Sequence, residues 1–140
     1  MDCFYCEKKE KLNELMIPVC DLSVSHVYLV RNQNFPGRCV VAYREHKTEL
    51  FQLNKEELSA FSQDVATVAK AISDIYAADK INYGIFGDGV PHLHYHVVPK
   101  KKGDFCWGGQ FDMNGNAAFP SEDELITAAG KIAAYIAEIK

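Results

Sequence analysis

The spacing of apolar residues predicts two long helices in this chain. The first runs from about residue 55 to 78, and it begins after Asn54 and Glu57, which have the spacing of a capping box. Apolar side chains recur along it at steps of three and four: Leu58, Phe61, Val65, Val68, Ile72 and Ile75. A second helix is predicted at about 122–139, after a capping Ser121. Both apolar faces are expected to pack on a sheet.

Strand patterns occupy the stretches between and around these helices. Runs of β-branched and aromatic residues, or strict alternation of apolar and polar positions, mark four of them: 27–30, 39–43, 81–86 and 92–98. The turn-rich residues 32–37 join the first two runs into a hairpin. Because neighbouring hairpins favour antiparallel pairing, we expect an α+β fold. The prediction is a single domain over residues 1–140, with an antiparallel sheet of about five strands and one central and one C-terminal helix packed on it.

Composition limits the partners and the compartment. The chain has 140 residues and a net charge of −4, which suits one domain without general attraction to nucleic acid polymers. No apolar run approaches the ~18 residues that a membrane span needs. The start of the chain lacks the features of a secretory signal, and an odd number of cysteines, five, indicates a reducing compartment. We therefore expect a cytoplasmic protein, in which any phosphate site would consist of a few oriented donors and not of a basic surface.

Three of the five histidines fall within five residues of one predicted strand. Alternation places His92, His94 and His96 on the same face, where imidazoles serve as nucleophiles, general acids or bases, or metal ligands. One alternative is a solvent-facing edge strand with incidental histidines. Another is the metal centre of a hydrolase, which usually adds a carboxylate close behind the pair. Apolar residues and a proline follow here instead: Val97, Val98 and Pro99.

The segment from His92 to Val98 resembles the motif of the histidine-triad (HIT) family of nucleotide hydrolases and transferases. That motif is His-φ-His-φ-His-φ-φ, where φ is apolar, and every position matches. The resemblance covers most of the chain and includes Pro36-Gly37 before the second predicted strand. It implies that His94 attacks the α-phosphate of a nucleotide and forms a covalent nucleotidyl-histidine, which water or an acceptor phosphate resolves. The Nδ1–H of His94 would donate to a carbonyl, and His96 would donate to a phosphate oxygen.

The resemblance also implies a substrate site with altered contacts. Asn82 stands roughly where the family has a polar residue that contacts ribose or phosphate. Arg38 replaces a histidine that often follows the Pro-Gly turn, and Asp88 and Gly89 replace a Gln-Ser/Thr pair before the triad. We expect a hydrolase of dinucleoside polyphosphates or nucleoside phosphoramidates. A nucleotidyltransferase or phosphorylase with the same nucleophile, or a nucleotide-binding module with little turnover, stays open.

The N-terminal segment 1–10 carries a Cys-x-x-Cys pair, Cys3 and Cys6. By itself the pair is half a zinc site, and free thiols or a redox pair are the alternatives. Resemblance to HIT members and to the related galactose phosphate uridylyltransferases implies a structural Zn²⁺ held by these two cysteines, His46 and His92. The other three cysteines are predicted to be small buried hydrophobes: Cys20, Cys39 and Cys106.

A Gly-rich aromatic loop, residues 103–111, follows the triad strand. Phe105 or Trp107 would stack on a base or seal the pocket, or they would serve as dimer contacts or core.

Family resemblance implies a homodimer formed through the long helix and the sheet edge. His26 is expected to be structural or on the surface. The lysines at 100–102 would add local positive charge or form solvated surface.

Overall fold

A five-stranded antiparallel sheet with helices on both faces organises the chain, in a computed structural model that describes residues 3–139. The strand order is β1-β2-β3-β5-β4, so β1 and β4 are the edges. The strands are β1 Met16–Asp21, β2 Ser25–Val30, β3 Cys39–Tyr43, β4 Lys80–Ile85 and β5 His94–Lys100. The helices are α1 Phe4–Glu7, α2 Glu10–Leu15, α3 Lys55–Tyr76 and α4 Glu122–Ile139, with a 3₁₀ turn at Leu50–Gln52. The predicted α+β class is confirmed.

The two long helices cover one face of the sheet. The capping box of α3 forms as predicted: Asn54 Oδ1 accepts from the Glu57 backbone N–H, and Glu57 Oε1 accepts from the Asn54 N–H. The apolar stripe of α3 and the face of α4 meet alternate residues of the central strands. Fully buried members of this core include Phe61, Val68, Ile72, Ile132, Val41 and Val97. This apolar layer packs against the sheet from the side opposite to the face that carries His94 and His96.

The first strand is the element that the apolar pattern does not predict. Pro18 interrupts the run, and the pairing with β2 shifts between Pro18 and Cys20 as a bulge. Proline cannot donate to a ladder, so it is tolerated here because β1 lies at the sheet edge. The short helices α1 and α2 precede this strand and fold over the second face of the sheet.

That second face is covered by the short helices α1 and α2. Tyr5 and Leu12 from α1 and α2 pack with Tyr28, Val40 and other residues of the sheet. Because both faces are covered, every residue of β3 is buried. The central strands therefore hold their side chains in fixed positions beneath the N-terminal helices.

The triad strand begins two residues later than predicted, at His94 rather than at position 92. The chain bends at 88–90, and the His92 N–H then donates to the Val90 carbonyl. The Leu93 N–H donates to the Lys47 carbonyl, and its side chain is part of the helix-side core. The triad is thus split between a loop residue, His92, and two strand residues.

Burial of the remaining cysteines follows the prediction only in part. Cys39 is buried in β3, and burial raises the pKa of its thiol to about 12. Cys20 and Cys106 are half-buried, so the prediction is wrong for these two. Cys20 lies on the edge strand next to the bulge, and Cys106 lies in a loop at a positive φ of 67°.

Among the described residues, no helix combines the length and apolar character needed to cross a membrane.

Candidate active site

His94 and His96 stand side by side on the central strand β5. Their cross-strand partners are Ala42 and Val40 of β3, and Gly84 of β4 also pairs with His96. The two imidazole centroids are 5.1 Å apart. Alternation puts both rings on the face beneath α1, while Tyr95 and Val97 face the helices, as predicted.

A main-chain carbonyl orients the ring of His94. Its Nδ1 lies 2.5 Å from the carbonyl oxygen of His92, and since a carbonyl only accepts, Nδ1 carries the proton. Burial lowers the pKa of His94, which keeps the ring neutral at pH 7. The second ring nitrogen, Nε2, therefore has a free lone pair, which is the state that a nucleophile requires.

His96 occupies an apolar and poorly satisfied position. Its Nδ1 is buried without a hydrogen-bond partner among residues 3–139. The rings of Phe86 and Phe111 each lie 6.0 Å from its centroid. Burial, together with the proximity of His94 and of the Arg38 guanidinium, lowers the pKa of His96 to about 3. His96 is neutral at physiological pH.

Arg38 extends beneath the same site from the start of β3 and is 3% exposed. Its Nη1 donates to the Asn34 Oδ1 and to the Met113 carbonyl, both at 2.8 Å. Its Nε is buried without a partner among the described residues. Within residues 3–139 no carboxylate forms an ion pair with it.

These three side chains open onto a cavity of about 350 Å³. That volume falls in the range of ~300–1,000 Å³ that small-molecule sites occupy. Its walls are largely apolar and come from the N-terminal segment, the sheet and the 112–119 loop: Phe4, Tyr5, Leu15, Met16, Val30, Val40, Val90, Met113 and Phe119. Polar groups stand at His94, His96 and Arg38 and around the cavity rim.

The side chain of Asn34 fastens the loop over this cavity. Its Nδ2 donates to the carbonyls of Asp112 and Gly115 at 2.9 Å and of Met113 at 3.2 Å. Because Arg38 also bonds the Met113 carbonyl, the hairpin turn and the loop form one unit.

Four metal-ligating atoms meet on the other side of the triad. Cys3, Cys6, His46 and His92 bring two sulfurs and two nitrogens within 4.8 Å of one another. The His46 and His92 Nδ1 atoms are 3.2 Å apart, and His92 Nδ1 is 3.3 Å from Cys3 Sγ and 3.5 Å from Cys6 Sγ. A tetrahedral zinc with ordinary bond lengths separates such atoms by about 3.3–3.8 Å. The cluster therefore has the donor set and spacing of a closed zinc site.

The orientation of His92 suits a ligand. Its Nε2–H donates to the Tyr43 carbonyl at 2.7 Å, which leaves the lone pair of Nδ1 facing the cysteines. Burial and the neighbouring His46 and His94 lower the pKa of His92, so the ring is neutral. The ring of Tyr5 lies 5.2 Å from His92 and 5.0 Å from His94, and so it joins the cluster to the cavity.

Other residues predicted for the substrate site lie outside the cavity. Asn82 shares the histidine face but lines a separate depression with Lys100, Lys102 and Trp107. Asp88 is exposed, and Gly89 lines a cavity beside the Cys/His cluster. Of the predicted substrate-binding residues, Arg38 lines the cavity together with His94 and His96. Asn82, Asp88 and Gly89 do not line it.

The aromatic loop follows the core alternative for Phe105. This half-buried side chain stacks on the buried Phe35, with centroids 4.7 Å apart, and Trp107 lines the depression that contains Asn82. Phe111 reaches His96 instead.

Two further side chains, Lys100 and His26, have structural partners. The buried Lys100 donates through Nζ to the carbonyls of Cys106 and Gly109 and fixes the loop. His26 contacts Asp21 and Lys8 near the surface, as expected.

Several contributors to the site have no clear sequence pattern. The His92 carbonyl is a main-chain atom, and Tyr5 is one of two aromatic residues inside the Cys-x-x-Cys spacing. Asn34 lies in a turn-rich stretch that indicates only a loop. Their roles depend on the tertiary packing of distant segments.

Comparison with known proteins supports one family. A model of the HIT domain matches residues 22–103, more than half of the chain. An asymmetrical bis(5'-nucleosyl)-tetraphosphatase of Schizosaccharomyces pombe is 33% identical over 75 residues, which are 50% of this chain and 41% of that protein. An adenosine 5'-monophosphoramidase of the same organism is 26% identical over 132 residues, covering 94% of this chain and 95% of that protein.

Solved structures share the fold over nearly the whole length. A histidine triad protein from Marinobacter aquaeolei VT8 superposes with a TM-score of 0.83 at 18% identity, over 94% of this chain and 96% of that one. A Zn-bound histidine triad family protein from Mycobacterium smegmatis gives a TM-score of 0.71 at 22% identity, over 99% and 96%.

Proposed function

The chain belongs to the HIT domain family, and from that premise we propose that it hydrolyses nucleoside phosphate derivatives at the α-phosphate through a nucleotidyl-His94 intermediate. The two curated relatives are named as hydrolases of nucleoside phosphate derivatives, one of a dinucleoside tetraphosphate and one of a phosphoramidate. Both types of bond join a nucleoside 5'-phosphate to a leaving group. Family membership supports nucleotide hydrolysis, and the geometry of the cavity supports His94 as the nucleophile.

The observation that carries the proposal is the hydrogen bond from His94 Nδ1 to the His92 carbonyl. It fixes the tautomer whose Nε2 lone pair is free, and His94 lines a cavity of nucleotide size. Attack by Nε2 forms the N–P bond, and the developing positive charge on the ring is stabilised by the same carbonyl. The apolar walls fit a nucleoside, and Arg38 places a positive charge near the phosphate.

We further propose that the Cys3, Cys6, His46 and His92 cluster holds a structural Zn²⁺. The donor set and the interatomic distances support this, and the M. smegmatis neighbour is described as Zn-bound. When bound, the metal would fix the N-terminal segment to the start of the triad. A reducing, cytoplasmic compartment agrees with this proposal, since both cysteines must bind as thiolates.

A homodimer is proposed through the edge strand β4. Tyr83 and Phe86 are about half exposed there, and an unpaired strand edge with apolar side chains favours pairing with a second copy. Light scattering should give twice the chain mass. Tyr83→Lys should lower the mass toward that of one chain, whereas Phe51→Lys, at an exposed aromatic away from the edge, should not.

The covalent step is tested by trapping. Wild-type protein incubated with a substrate labelled in the α-phosphate and quenched rapidly should carry label at His94. His94→Ala should carry none and should lose turnover by about 10⁴-fold or more, while its circular dichroism stays that of wild type. His26→Ala is the matched control and should retain both label and turnover.

The outcome also separates the related functions. Release of nucleoside monophosphate in water alone identifies a hydrolase, and transfer only to added phosphate identifies a phosphorylase. Tight nucleotide binding without label and without turnover would contradict the proposal and indicate a binding module.

A further inference from the structure

The buried guanidinium of Arg38 is a charge without a counter-ion. It is 3% exposed, and its acceptors are neutral groups, an amide oxygen and a carbonyl. No carboxylate pairs with it among residues 3–139, and its Nε has no acceptor there. Burying an unpaired charge is costly, so such a group is expected to meet an anion when the site is filled.

The position of Arg38 identifies where that anion would lie. Val40 pairs with His96 across the strands, and Arg38 lies two residues before Val40 on the same face. Arg38, His94 and His96 line the same cavity. An oxygen of the phosphate attacked by His94 is therefore the acceptor within reach of the free guanidinium edge.

The same cation shapes what His96 can do. Phe86 and Phe111 pack together against the ring of His96. Its Nδ1 is buried without a partner among residues 3–139, so no acceptor of the described chain would hold a proton on that nitrogen. Burial, then the neighbouring His94, and then Arg38 hold the pKa of His96 far below neutrality. A neutral imidazole donates a hydrogen bond, but it gives up its proton much less readily than an imidazolium does.

We propose that Arg38 makes this site selective for leaving groups that depart as weakly basic anions, that is, phosphate or polyphosphate rather than an amine. This inference rests on the proposed hydrolysis through His94. Arg38 neutralises charge on the α-phosphate oxygens, and neither His94 nor His96 offers a ready proton to a strongly basic leaving nitrogen. The nucleoside polyphosphate class is thereby favoured over the phosphoramidate class.

The bonds and charges balance without an added proton donor. His94 Nε2 forms a bond to the α-phosphorus, the P–O bond to the polyphosphate breaks, and the electron pair leaves on that oxygen. Water then adds to phosphorus and releases a proton to solvent, the P–N bond breaks, and its electron pair returns to His94. With an amine as leaving group, the electron pair of the breaking P–N bond would leave on a strongly basic nitrogen. That nitrogen must gain a proton during the first step, so the lack of a ready proton donor slows the step.

The test compares two substrates that differ only in the leaving group. Diadenosine tetraphosphate and adenosine 5'-monophosphoramidate present the same adenosine 5'-phosphoryl unit, and kcat/KM is measured for each at neutral pH. We expect the polyphosphate to be preferred by about tenfold or more. Equal rates, or preference for the phosphoramidate, would overturn the inference while leaving the proposed hydrolysis intact.

Arg38 variants connect the preference to this residue. Arg38→Gln removes the charge and should lower the polyphosphate-to-phosphoramidate ratio by about 10- to 100-fold. Arg38→Lys keeps the charge and should retain most of the ratio with lower kcat/KM for both substrates. Arg44→Gln, at an exposed arginine outside the cavity, should behave as wild type.

The readout is a ratio measured within one preparation, so partial loss of folded Arg38→Gln protein does not change it. If the ratio is the same in Arg38→Gln and wild type, Arg38 does not set selectivity and the inference fails. If wild type cleaves neither substrate and His94 carries no label, the proposed function fails first, and that result is distinct from a changed preference.

A binding measurement gives an independent check. Calorimetry with AMP and with adenosine isolates the contribution of the phosphate. We expect Arg38→Gln to reduce the preference for AMP over adenosine by about tenfold or more, and Arg44→Gln to leave it unchanged. An unchanged preference in Arg38→Gln would contradict contact between Arg38 and the phosphate.

Discussion

The two ends of the triad, His92 and His96, differ in whether their buried polar atoms have partners. We call the His92 end saturated and the His96 end unsaturated. At the first end, both ring nitrogens of His92 have partners: Nε2 donates to the Tyr43 carbonyl, and Nδ1 faces Cys3, Cys6 and His46. At the other end, His96 Nδ1 and Arg38 Nε are buried with no partner among residues 3–139. Within the five residues from His92 to His96, the chain thus passes from a ring whose two nitrogens have partners to a ring with a buried nitrogen that has none.

This difference separates structural from ligand-facing chemistry. A buried polar group without a partner costs free energy, and it is retained where a ligand supplies the missing bond. The His92 end, where four metal-ligating atoms meet, is the site of the structural zinc that we propose. The His96 end has the geometry of a site that is completed by an anion. His94 lies between them and takes its orientation from the first end.

The largest effect is expected from breaking the saturated end. Cys3→Ser should reduce bound zinc from about one per chain to near zero, because one thiolate of a closed four-ligand site is lost. The melting temperature should fall by about 10 °C, and a chelator should lower that of wild type similarly. Metal analysis and calorimetric melting measure both quantities.

The matched control is Cys106→Ser, at a cysteine outside the cluster. It should retain zinc and melt close to wild type. Wild-type protein that contains no metal after purification in zinc-supplemented medium, and whose melting is insensitive to a chelator, would contradict the zinc proposal.

A smaller effect is expected at Tyr5, which packs on His92 and His94 and lines the cavity. Tyr5→Ala removes a buried ring that packs on His92 and on His94, and should lower the free energy of unfolding by about 3 kcal/mol. It should also raise KM, because Tyr5 forms part of the cavity wall. Guanidinium unfolding and steady-state kinetics provide the measurements.

Phe51→Ala serves as the comparison, since Phe51 is 83% exposed. Its effect on unfolding should be within about 0.5 kcal/mol. If Tyr5→Ala matched Phe51→Ala in both stability and KM, the packing of Tyr5 on His92 and His94 would have no energetic importance.

The smallest effect is expected in the pH dependence of stability at the unsaturated end. The pKa of His96 is about 3 in the folded chain and returns toward the ordinary 6.5 on unfolding. Below about pH 6.5 the unfolded chain therefore binds a proton that the folded chain does not bind. The contribution of His96 to stability is present above that pH and is lost as the pH falls toward about 3.

His96→Gln removes this proton and should flatten the slope by up to about 1.4 kcal/mol per pH unit between pH 6 and pH 4. Chemical unfolding with a chelator present isolates the effect from metal release. Phe51→Ala, which carries no proton, should keep the wild-type slope. A His96→Gln slope equal to that of wild type would show that His96 is protonated in the folded chain.

Sequence periodicity predicts the helices and strands whose formation depends on the spacing of nearby side chains. The α3 cap, the hairpin from β2 to β3, strand β4 and the helix at 122–139 follow from side-chain spacing, and these elements place the histidine face correctly. Strand β1 is not predicted because Pro18 and a bulge interrupt its pattern. Its position at the sheet edge, where proline is tolerated, follows only from the tertiary fold.

The site is less predictable because it depends on contacts between distant segments. The Cys/His quartet is expected from family resemblance, and the structure places those four residues together. By contrast, Asn82 is expected in the substrate site but lines another depression. The partners of Arg38 come from a turn and from a loop about 75 residues away, and no local pattern contains that information.

The bond from His94 to the carbonyl of residue 92 also bears on how this site tolerates sequence change. Every amino acid has a main-chain carbonyl, so the acceptor that orients His94 is present whichever side chain occupies position 92. A substitution of the His92 side chain therefore retains the acceptor for the proposed nucleophile. The orientation of His94 depends on the peptide backbone and not on the identity of residue 92.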